Sequence, residues 1–486
     1  MIEAIPFFSI AVDGGKSLYN RKKEGEYAKE MRRYLDYFMD EDKRESIKEK
    51  TKILVPCHNG SEKLKKAIPN YEQSWLENIM IIDDNSKDDT VETAEKLGIN
   101  NILSLEKNEG KIGALYEGVK NLEHDTKYVG IFDDDTYFKG DLAKSILFLK
   151  GCEEDELKGY DAAALHVLPD VELENLNFIQ AYQYFEYMMA MEQKKAMFGK
   201  KQQVMNISGC AGLYKRELFE NLIKEQKETH NIFEGEDYWR TQKILSAGNE
   251  VVMIPKELGV AAKTAIPDKI TDLLRQRIKS WSPGRIRTNG EFLKDIKIDR
   301  RGGELIYDSI FNVALDPLKV ISIPSLFLSG PLLPILFFGF YEGLQYYNYQ
   351  RYFNEEDKKS LGKYFLLMPF MNVGMAAVRT TGYAYGLAGI LKEKIKLESK
   401  EPTKENVKRK LQLIRKIENY KQTAVGSLIK KIENYRIQEG NLDKSITLNI
   451  LQDQVLEMEK KLEEFKEDIK LSVQNDLEKL YYEINI

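Results

Sequence analysis

Cysteine is scarce in this chain, with only three in 486 residues. Cys57, Cys152 and Cys210 are far apart and odd in number. That excludes a disulfide framework and a zinc site of the CxxC kind, and it points to a reducing compartment for the part that holds them. A basic excess is also missing. Lys and Arg number 73 against 78 Asp and Glu, a formal net charge of −5. A nucleic-acid binder needs a positive footprint to neutralise phosphates, so no nucleic-acid partner is expected. A secretory leader is not expected either, because the apolar stretch 5–12 follows Glu3 and no basic residue. Residues 1–50 contain no run long enough to cross a bilayer.

What is present is the composition of a globular protein, 42% apolar and 31% charged, with length for about three domains. Four regions differ in character. Residues 1–50 form a polar N-terminal helical extension, with helical character at 27–38. Residues 51–305 alternate strand and helix signals. Residues 306–391 hold the apolar material, and 392–486 read as a Lys/Glu-rich helical or coiled-coil region with no proline after Pro402.

In the second region, apolar runs at 53–56, 79–82, 101–104 and 128–132 are each followed by a polar turn and, in most cases, a helix. Short apolar runs alternating with helices predict a buried, mostly parallel sheet of βαβ units. Ligands of such sheets bind at the carboxyl ends of the strands, where the polar clusters of this sequence stand.

The third region contains an uncharged stretch at 321–340. Twenty helical residues span about 30 Å, the thickness of a hydrocarbon core. Pro324, Pro331 and Pro334 interrupt it, so a kinked or re-entrant segment fits as well as a straight span. A second stretch, 364–391, is broken only by Arg379, and Gly374, Gly382, Gly386 and Gly389 suit close helix packing. Two buried core helices are the alternative. Both flanks are basic, with Arg300, Arg301 and Lys319 before and Lys392, Lys394 and Lys396 after, which fits the cytoplasmic side of a membrane. In the tail, Leu451, Val455, Met458, Leu462, Phe465 and Ile469 make a short heptad seam, and Lys-Ile-Glu-Asn-Tyr occurs at 416–420 and again at 431–435. This predicts either self-association into a homo-oligomer or a helical hairpin packed on its own chain.

The chemistry concentrates at the strand ends. Asp83 and Asp84 follow one run, and their carboxylates can accept from a nucleobase N–H or a ribose hydroxyl. Asp133 and Asp135 follow another, alternate along the chain, and supply hard oxygens suited to Mg²⁺ or Mn²⁺. Taken alone, an acidic triplet is also what a solvated turn looks like.

The order of the pieces resembles the family 2 inverting glycosyltransferases of GT-A fold, and within them the membrane-bound hyaluronan, chitin and cellulose synthase-like group. Val55-Pro56-Cys57-His58-Asn59 is similar to the family's opening V-P-x-x-N. Asp83-Asp84-Asn85-Ser86 with Asp88-Asp89-Thr90 resembles D-D-x-S-x-D-x-T, and Asn108-Glu109-Gly110-Lys111 resembles N-x-G-K. Asp133-Asp134-Asp135 stands at the D-x-D position, Ser208-Gly209-Cys210-Ala211-Gly212 at the acceptor-side glycine motif, and Gly235-Glu236-Asp237 at [TG]-E-D.

The resemblance implies roles. Asp83 or Asp84 would hold the uracil of a UDP-sugar, with Pro56, Asn59 and Ser86 in the same donor region and Lys111 near the donor. Asp133 and Asp135 would contact the donor and its metal, Asp135 the more directly. Gly209 would lie on the acceptor side. Asp237 would be the general base, with Glu236 raising its pKa by like charge. Without the resemblance, Glu236-Asp237 also reads as the acidic start of a helix.

The chain departs from Q-x-x-R-W, which it meets as Gln276-Arg277-Ile278-Lys279-Ser280-Trp281. Counted from Gln276, Lys279 takes the Arg place and Trp281 falls one residue late. Either the helix carries a one-residue bulge or the motif is eroded. Arg275, Arg277 and Lys279 would face a diphosphate or, as a basic amphipathic helix, anionic membrane lipid.

The function expected is transfer from a UDP-sugar to a growing polysaccharide. The alternative is a single transfer to a polyprenyl-phosphate or lipid-linked glycan. Two other classes compete: a non-catalytic membrane scaffold with a coiled-coil tail, and a nucleotidyltransferase, whose Gly-rich basic N-terminal loop is missing here. Aromatic residues at 178–198, among them Tyr182, Tyr184, Phe185 and Tyr187, would either line an acceptor site or pack as core.

Overall fold

Strands buried on both faces need apolar side chains at every position, not at alternate ones. β1 (Thr51–Cys57), β2 (Ile79–Asp83) and β4 (Tyr128–Phe132) are largely such runs, with all five positions of β2 buried, whereas β3 (Asn101–Ser104), at the sheet edge, is only half-buried. In this computed structural model they pair in parallel, with Ile53 of β1 opposite Ile79 of β2 on one side and Gly130 of β4 on the other. The structure describes residues 31–152, 156–191, 206–229, 235–292 and 353–398, with Val204 and single positions between 316 and 351 and between 414 and 474. The apolar stretch 321–340, the N-terminal residues 1–30, the repeated tail pentapeptides and all six residues of the tail seam lie outside the described residues.

Three further strands, β6 (Ala162–Ala164), β8 (Ala211–Lys215) and β9 (Val251–Met253), extend the sheet to seven in the order β3-β2-β1-β4-β8-β6-β9. Only β8 opposes its neighbours. The chain moves outward from β1 through β2 to β3, then returns to place β4 on the other side of β1. This reversal is a topological switch point, and it opens a crevice at the carboxyl ends of β1 and β4. A smaller sheet of β5 (Thr136–Lys139), β10 (Ala261–Thr264) and β7 (His166–Pro169) begins where β4 ends. Its β5 and β10 are antiparallel, with Thr136 opposite Thr264.

The helices are α1 (Leu35–Met39), α2 (Glu41–Glu49), α3 (Ser61–Ala67), α4 (Thr90–Lys96), α5 (Gly110–Lys120), α6 (Leu142–Lys150), α7 (Phe178–Met189), α8 (Arg216–Thr229), α9 (Glu236–Ser246), α10 (Ile270–Gln276), α11 (Ser282–Phe292), α12 (Glu355–Leu361) and α13 (Met368–Glu398). α5 illustrates the packing. Ile112, Leu115 and Val119 are buried at helical spacing, and Gly118 lets its backbone lie against Ile82 and Leu54 of the sheet. Below the crevice, Tyr71, Trp75, Phe132 and Phe138 stack edge to face at 5.1–6.5 Å, and the Tyr71 hydroxyl donates to the Thr136 carbonyl at 2.8 Å. The start of β5 is thereby fixed to the core.

Two compact units divide the chain: Met1–Leu274 with Thr288–Gly374, and Arg275–Arg287 with Met375–Ile486. In the first, Tyr182, Tyr184 and Phe185 of α7 are buried, and Phe185 stacks on Phe353 at 5.5 Å. These aromatics pack as core. In the second, Gly382 and Gly386 of α13 are needed for close approach. A Cβ at Gly382 would come within 2.6 Å of the Ser282 Cβ, and one at Gly386 within 2.8 Å of the Pro283 Cα. Among the described residues, no helix is long and apolar enough to cross a membrane.

Candidate active site

Turn geometry brings the polar clusters to the crevice. Asn59 and Asn85 adopt left-handed φ values of +51° and +58°, a region asparagine tolerates better than most residues. This folds each chain back at the end of its strand, and the two turns then lock together. The Asn59 N–H donates to Ser86 Oγ at 2.9 Å, and the Lys87 N–H donates to Asn59 Oδ1 at 2.7 Å. Pro56 sits in β1 opposite Ile82, just beneath these turns. Asn59 and Ser86 therefore build the crevice wall.

The neighbours Asp83 and Asp84 separate into two roles. The Asp84 carboxylate is buried and caps α5, accepting the Glu109 N–H at 2.6 Å and the Gly110 N–H at 2.8 Å. Both of its oxygens satisfy helix N–H groups that no intrahelical carbonyl reaches. Asp83 accepts the Ser86 N–H through Oδ1 at 3.2 Å and keeps Oδ2 free of protein donors among the described residues. Of the two candidates for a nucleobase, only Asp83 has an oxygen to offer.

Capping by Asp84 aims Lys111, at the second position of α5, across the crevice. Its ammonium contacts Asp133 Oδ1 at 2.6 Å, the Gly209 carbonyl at 3.0 Å and Glu236 Oε1 at 3.2 Å. One cation thus ties the end of β4 to the start of α9. Burial alone would lower the Lys111 ammonium, but the carboxylates of Asp133 and Glu236 outweigh it and hold the group well above the ordinary lysine range. Glu236 also has a burial penalty, and Lys111 and Arg240 overcome it, holding the Glu236 carboxyl below the usual value.

Asp237 is the opposite case. Burial pushes its carboxyl up, and the Glu236 charge adds to the push. Its Oδ2 accepts the Gly209 N–H at 2.9 Å and its Oδ1 accepts the Tyr238 N–H at 2.8 Å. A Cβ on Gly209 would stand 3.1 Å from the Asp237 Cβ and 3.3 Å from its Oδ2, so glycine is what lets this segment close on the carboxylate. The pair Glu236–Asp237 therefore holds one firmly ionised carboxylate beside one of raised proton affinity, the arrangement a general base requires.

The acidic triplet alternates in its partners. Asp134, in the middle, is buried. Both its oxygens accept from Lys63 Nζ, at 2.9 and 3.2 Å, and the Cys57 thiol approaches Oδ2 at 3.7 Å. Asp133 and Asp135 face the other way and are half-buried. Burial raises both carboxyls; for Asp133 Lys111 opposes the rise, and for Asp135 the Asp134 charge adds to it. Each keeps its Oδ2 without a protein donor among the described residues. Two hard oxygens at one rim are the donor set that Mg²⁺ or Mn²⁺ uses when phosphates and water complete the shell. Among the described residues no group of three or more His, Cys, Asp or Glu side chains forms a metal cage.

The remaining expected residues lie in the second unit. Arg277–Trp281 form a π-helical turn, which holds one residue more than an α turn. The extra residue of the run Gln276–Trp281 is absorbed there, the first of the two alternatives open in the sequence. Gln276 Oε1 accepts from Arg277 Nη1 at 3.0 Å, the Arg277 guanidinium stacks 3.4 Å from the Trp281 ring centroid, and Trp281 remains 45% exposed. Lys279 stands in the same turn.

Sequence reasoning missed Lys63, Arg240 and Thr264. Lys63 Nζ pairs with Asp134, Arg240 Nη1 donates to Gln226 Oε1 at 3.1 Å beneath Glu236, and the Thr264 hydroxyl reaches Asp135 Oδ1 at 3.3 Å. None belongs to a local motif; only the tertiary fold brings them in.

Residues 52–223 match the family described as Glycosyl transferase family 2. This segment is a family 2 glycosyltransferase domain, and its mostly parallel sheet flanked by helices agrees with the GT-A fold. It holds the residues from Pro56 to Gly209 and ends before Glu236 and Asp237. No curated protein matches the chain. Among solved structures, a mannosyltransferase from Pyrobaculum calidifontis in complex with GDP-Man and Mn²⁺ is similar over 77% of this chain and 99% of its own, at 13% identity and a TM-score of 0.45. Glucosyl-3-phosphoglycerate synthase from Mycobacterium tuberculosis, with Mg²⁺ and UDP, is similar over 51% of this chain and 83% of its own, at 13% identity and a TM-score of 0.31. GalNAc-T7, with UDP, GalNAc and Mn²⁺, is similar over 44% of this chain and 43% of its own, at 14% identity and a TM-score of 0.31.

Proposed function

We propose that the chain is a membrane-bound, metal-dependent, inverting glycosyltransferase that takes a sugar from a UDP-sugar and adds it to a growing hyaluronan- or chitin-like polysaccharide. The observation that carries this reading is the convergence of Asp133, Glu236 and the Gly209 carbonyl on Lys111, with Asp237 held on the Gly209 N–H. It joins a donor-side carboxylate pair to a base inside one family 2 domain and the helix that follows it.

In this reading Asp83 Oδ2 accepts from the nucleobase. Asp133 and Asp135 would hold Mg²⁺ or Mn²⁺, which would supply positive charge for the departing diphosphate. Asp237 takes the proton from an acceptor hydroxyl as that oxygen bonds to the anomeric carbon and the bond to the diphosphate oxygen breaks. Lys111 keeps Glu236 ionised, and the ionised Glu236 keeps the proton affinity of Asp237 high. The acceptor is a glycan or, in a second reading, a polyprenyl-phosphate or lipid-linked glycan that receives one sugar. The π-helical turn favours the polymerising version, because it preserves a Gln, basic and Trp constellation that the sequence displaces by one residue. Membrane lipid as a partner, the cytoplasmic placement of the catalytic domain and self-association through the tail rest on the apolar stretches, their basic flanks and the heptad seam.

The test is UDP release by the detergent-purified chain against a panel of UDP-sugars with Mg²⁺ or Mn²⁺, lipid and glycan acceptors added, and the product sized. Release with one or two sugars and a long product is expected. A product one sugar longer than the acceptor would support single transfer instead. No release with any sugar, from folded protein, would point to a scaffold or another donor.

A further inference from the structure

We propose that Thr264, on the last strand of the small sheet, is a positioning residue for Asp135 and sets which of its oxygens faces a bound divalent cation. The inference rests on the metal-dependent reading above. Thr264 lies opposite Thr136 in the β5–β10 pairing. Its hydroxyl is 2.8 Å from the Thr136 hydroxyl and 3.3 Å from Asp135 Oδ1, and Thr136 Oγ1 is 3.1 Å from the same Oδ1. Both threonines are buried, at 5% and 1% exposure.

Three close contacts share two hydroxyl protons. One hydroxyl bonds the other, and the remaining proton goes to Asp135 Oδ1. Whichever threonine donates, the carboxylate receives its hydrogen bond on the same oxygen. Oδ2 is left without a protein donor among the described residues, on the half-buried rim that also presents Asp133. A cross-strand Thr–Thr bond by itself is an ordinary sheet contact. What distinguishes this one is the shared acceptor, which makes a strand 129 residues away in sequence responsible for the orientation of Asp135. The Tyr71 bond to the Thr136 carbonyl, at 2.8 Å, holds the other end of the device.

Groups that orient a metal ligand through a hydrogen bond typically change metal affinity about 10- to 100-fold when removed. Thr264→Val keeps the volume and deletes the hydroxyl; it is made in a Thr136→Val background, and compared with Thr136→Val alone, so that Thr136 Oγ1, 3.1 Å from Oδ1, does not take over the bond. Mn²⁺ affinity, read from the free Mn²⁺ paramagnetic resonance signal with UDP present, is expected to fall about tenfold, with thermal stability little changed. In the same background, Thr264→Ser should bind like Thr136→Val alone. Should Thr264→Val not fold, Thr264→Ala makes the same comparison. An affinity in the Val or Ala variant equal to that of Thr136→Val alone overturns the proposal, and so does equal loss in Thr264→Ser, which would assign the effect to shape. Asp135→Ala in the same titration separates the two levels. If it binds Mn²⁺ as the native chain does, the metal-dependent reading fails. If it loses binding and Thr264→Val does not, only the positioning role fails.

Discussion

Asp83 and Asp84 are adjacent and chemically alike, and the structure assigns them different work. Asp84 spends both oxygens on the N-terminus of α5, at 2.6 and 2.8 Å from the Glu109 and Gly110 N–H groups. Replacing it by alanine takes the carboxylate from the half-buried Glu109 N–H, leaves the Gly110 N–H only Asn108 Oδ1 at 3.1 Å, and removes a negative charge from the positive end of a helix. A hydrogen bond to a charged group is worth about 1.5–3 kcal/mol net, and helix caps cost about 0.5–2 kcal/mol when lost. Water can reach part of the opened site, so Asp84→Ala should destabilise the domain by about 2–4 kcal/mol. Asp83→Ala loses one weaker bond, to Ser86 at 3.2 Å, and should cost about 1 kcal/mol or less. Binding should show the reverse order. Asp83→Ala should weaken UDP binding about tenfold, since one hydrogen bond to a base is worth about 1–1.5 kcal/mol. The assay is urea unfolding followed by tryptophan fluorescence, paired with calorimetric UDP titration of each variant at a temperature where both are folded. A stable Asp84→Ala that has lost UDP binding, beside an Asp83→Ala that binds normally, would refute the assignment.

Further predictions concern the base and its supports. A raised Asp237 carboxyl stays protonated further up the pH scale, so the rate should fall on the acid side as the base takes up its proton. Glu236→Gln removes the like charge, lowers the proton affinity of Asp237 and should move that acid limb to lower pH in a pH–rate profile. Gly209→Ala should push on Asp237 and cut kcat about 10- to 100-fold with UDP affinity retained, measured by steady-state kinetics beside UDP titration. Lys63→Met leaves Asp134 buried without its cation. Because the Lys63 side chain is 52% exposed, the loss in unfolding free energy should be about 1–2 kcal/mol, well under that for a fully buried pair.

The parts of this account legible in sequence share a physical reason. Strands β1, β2 and β4 declare themselves because burial on both faces demands nearly unbroken apolar runs, and the turns after them are local. The order of the acidic clusters follows from the same local logic, whereas the left-handed backbones of Asn59 and Asn85 emerge only in the structure. What the sequence hides is long-range. β10 reads Ala-Ala-Lys-Thr, too short and too ordinary to announce a strand, yet it delivers Thr264 to Asp135. The division of labour between Asp83 and Asp84 depends on where α5 lands. Lys63 looks like one of several solvated lysines on α3 until Asp134 turns inward to meet it. The extra residue before Trp281 left a bulge and an eroded motif equally open, and the π-helical turn over Arg277–Trp281 corresponds to the bulge.

The central claim is that Asp237 is the base of a transfer site whose donor half is built from Asp83, Asp133 and Asp135. The most direct measurement compares Asp237→Asn with the native chain, for UDP binding in the presence of Mn²⁺ and for UDP release from the preferred UDP-sugar with acceptor present. The amide keeps the shape and the Gly209 contact but is a far poorer proton acceptor. The account predicts native UDP binding and a rate reduced by at least about 100-fold, the range that general base catalysis supplies. Native turnover in Asp237→Asn, or loss of UDP binding together with the rate, would contradict it.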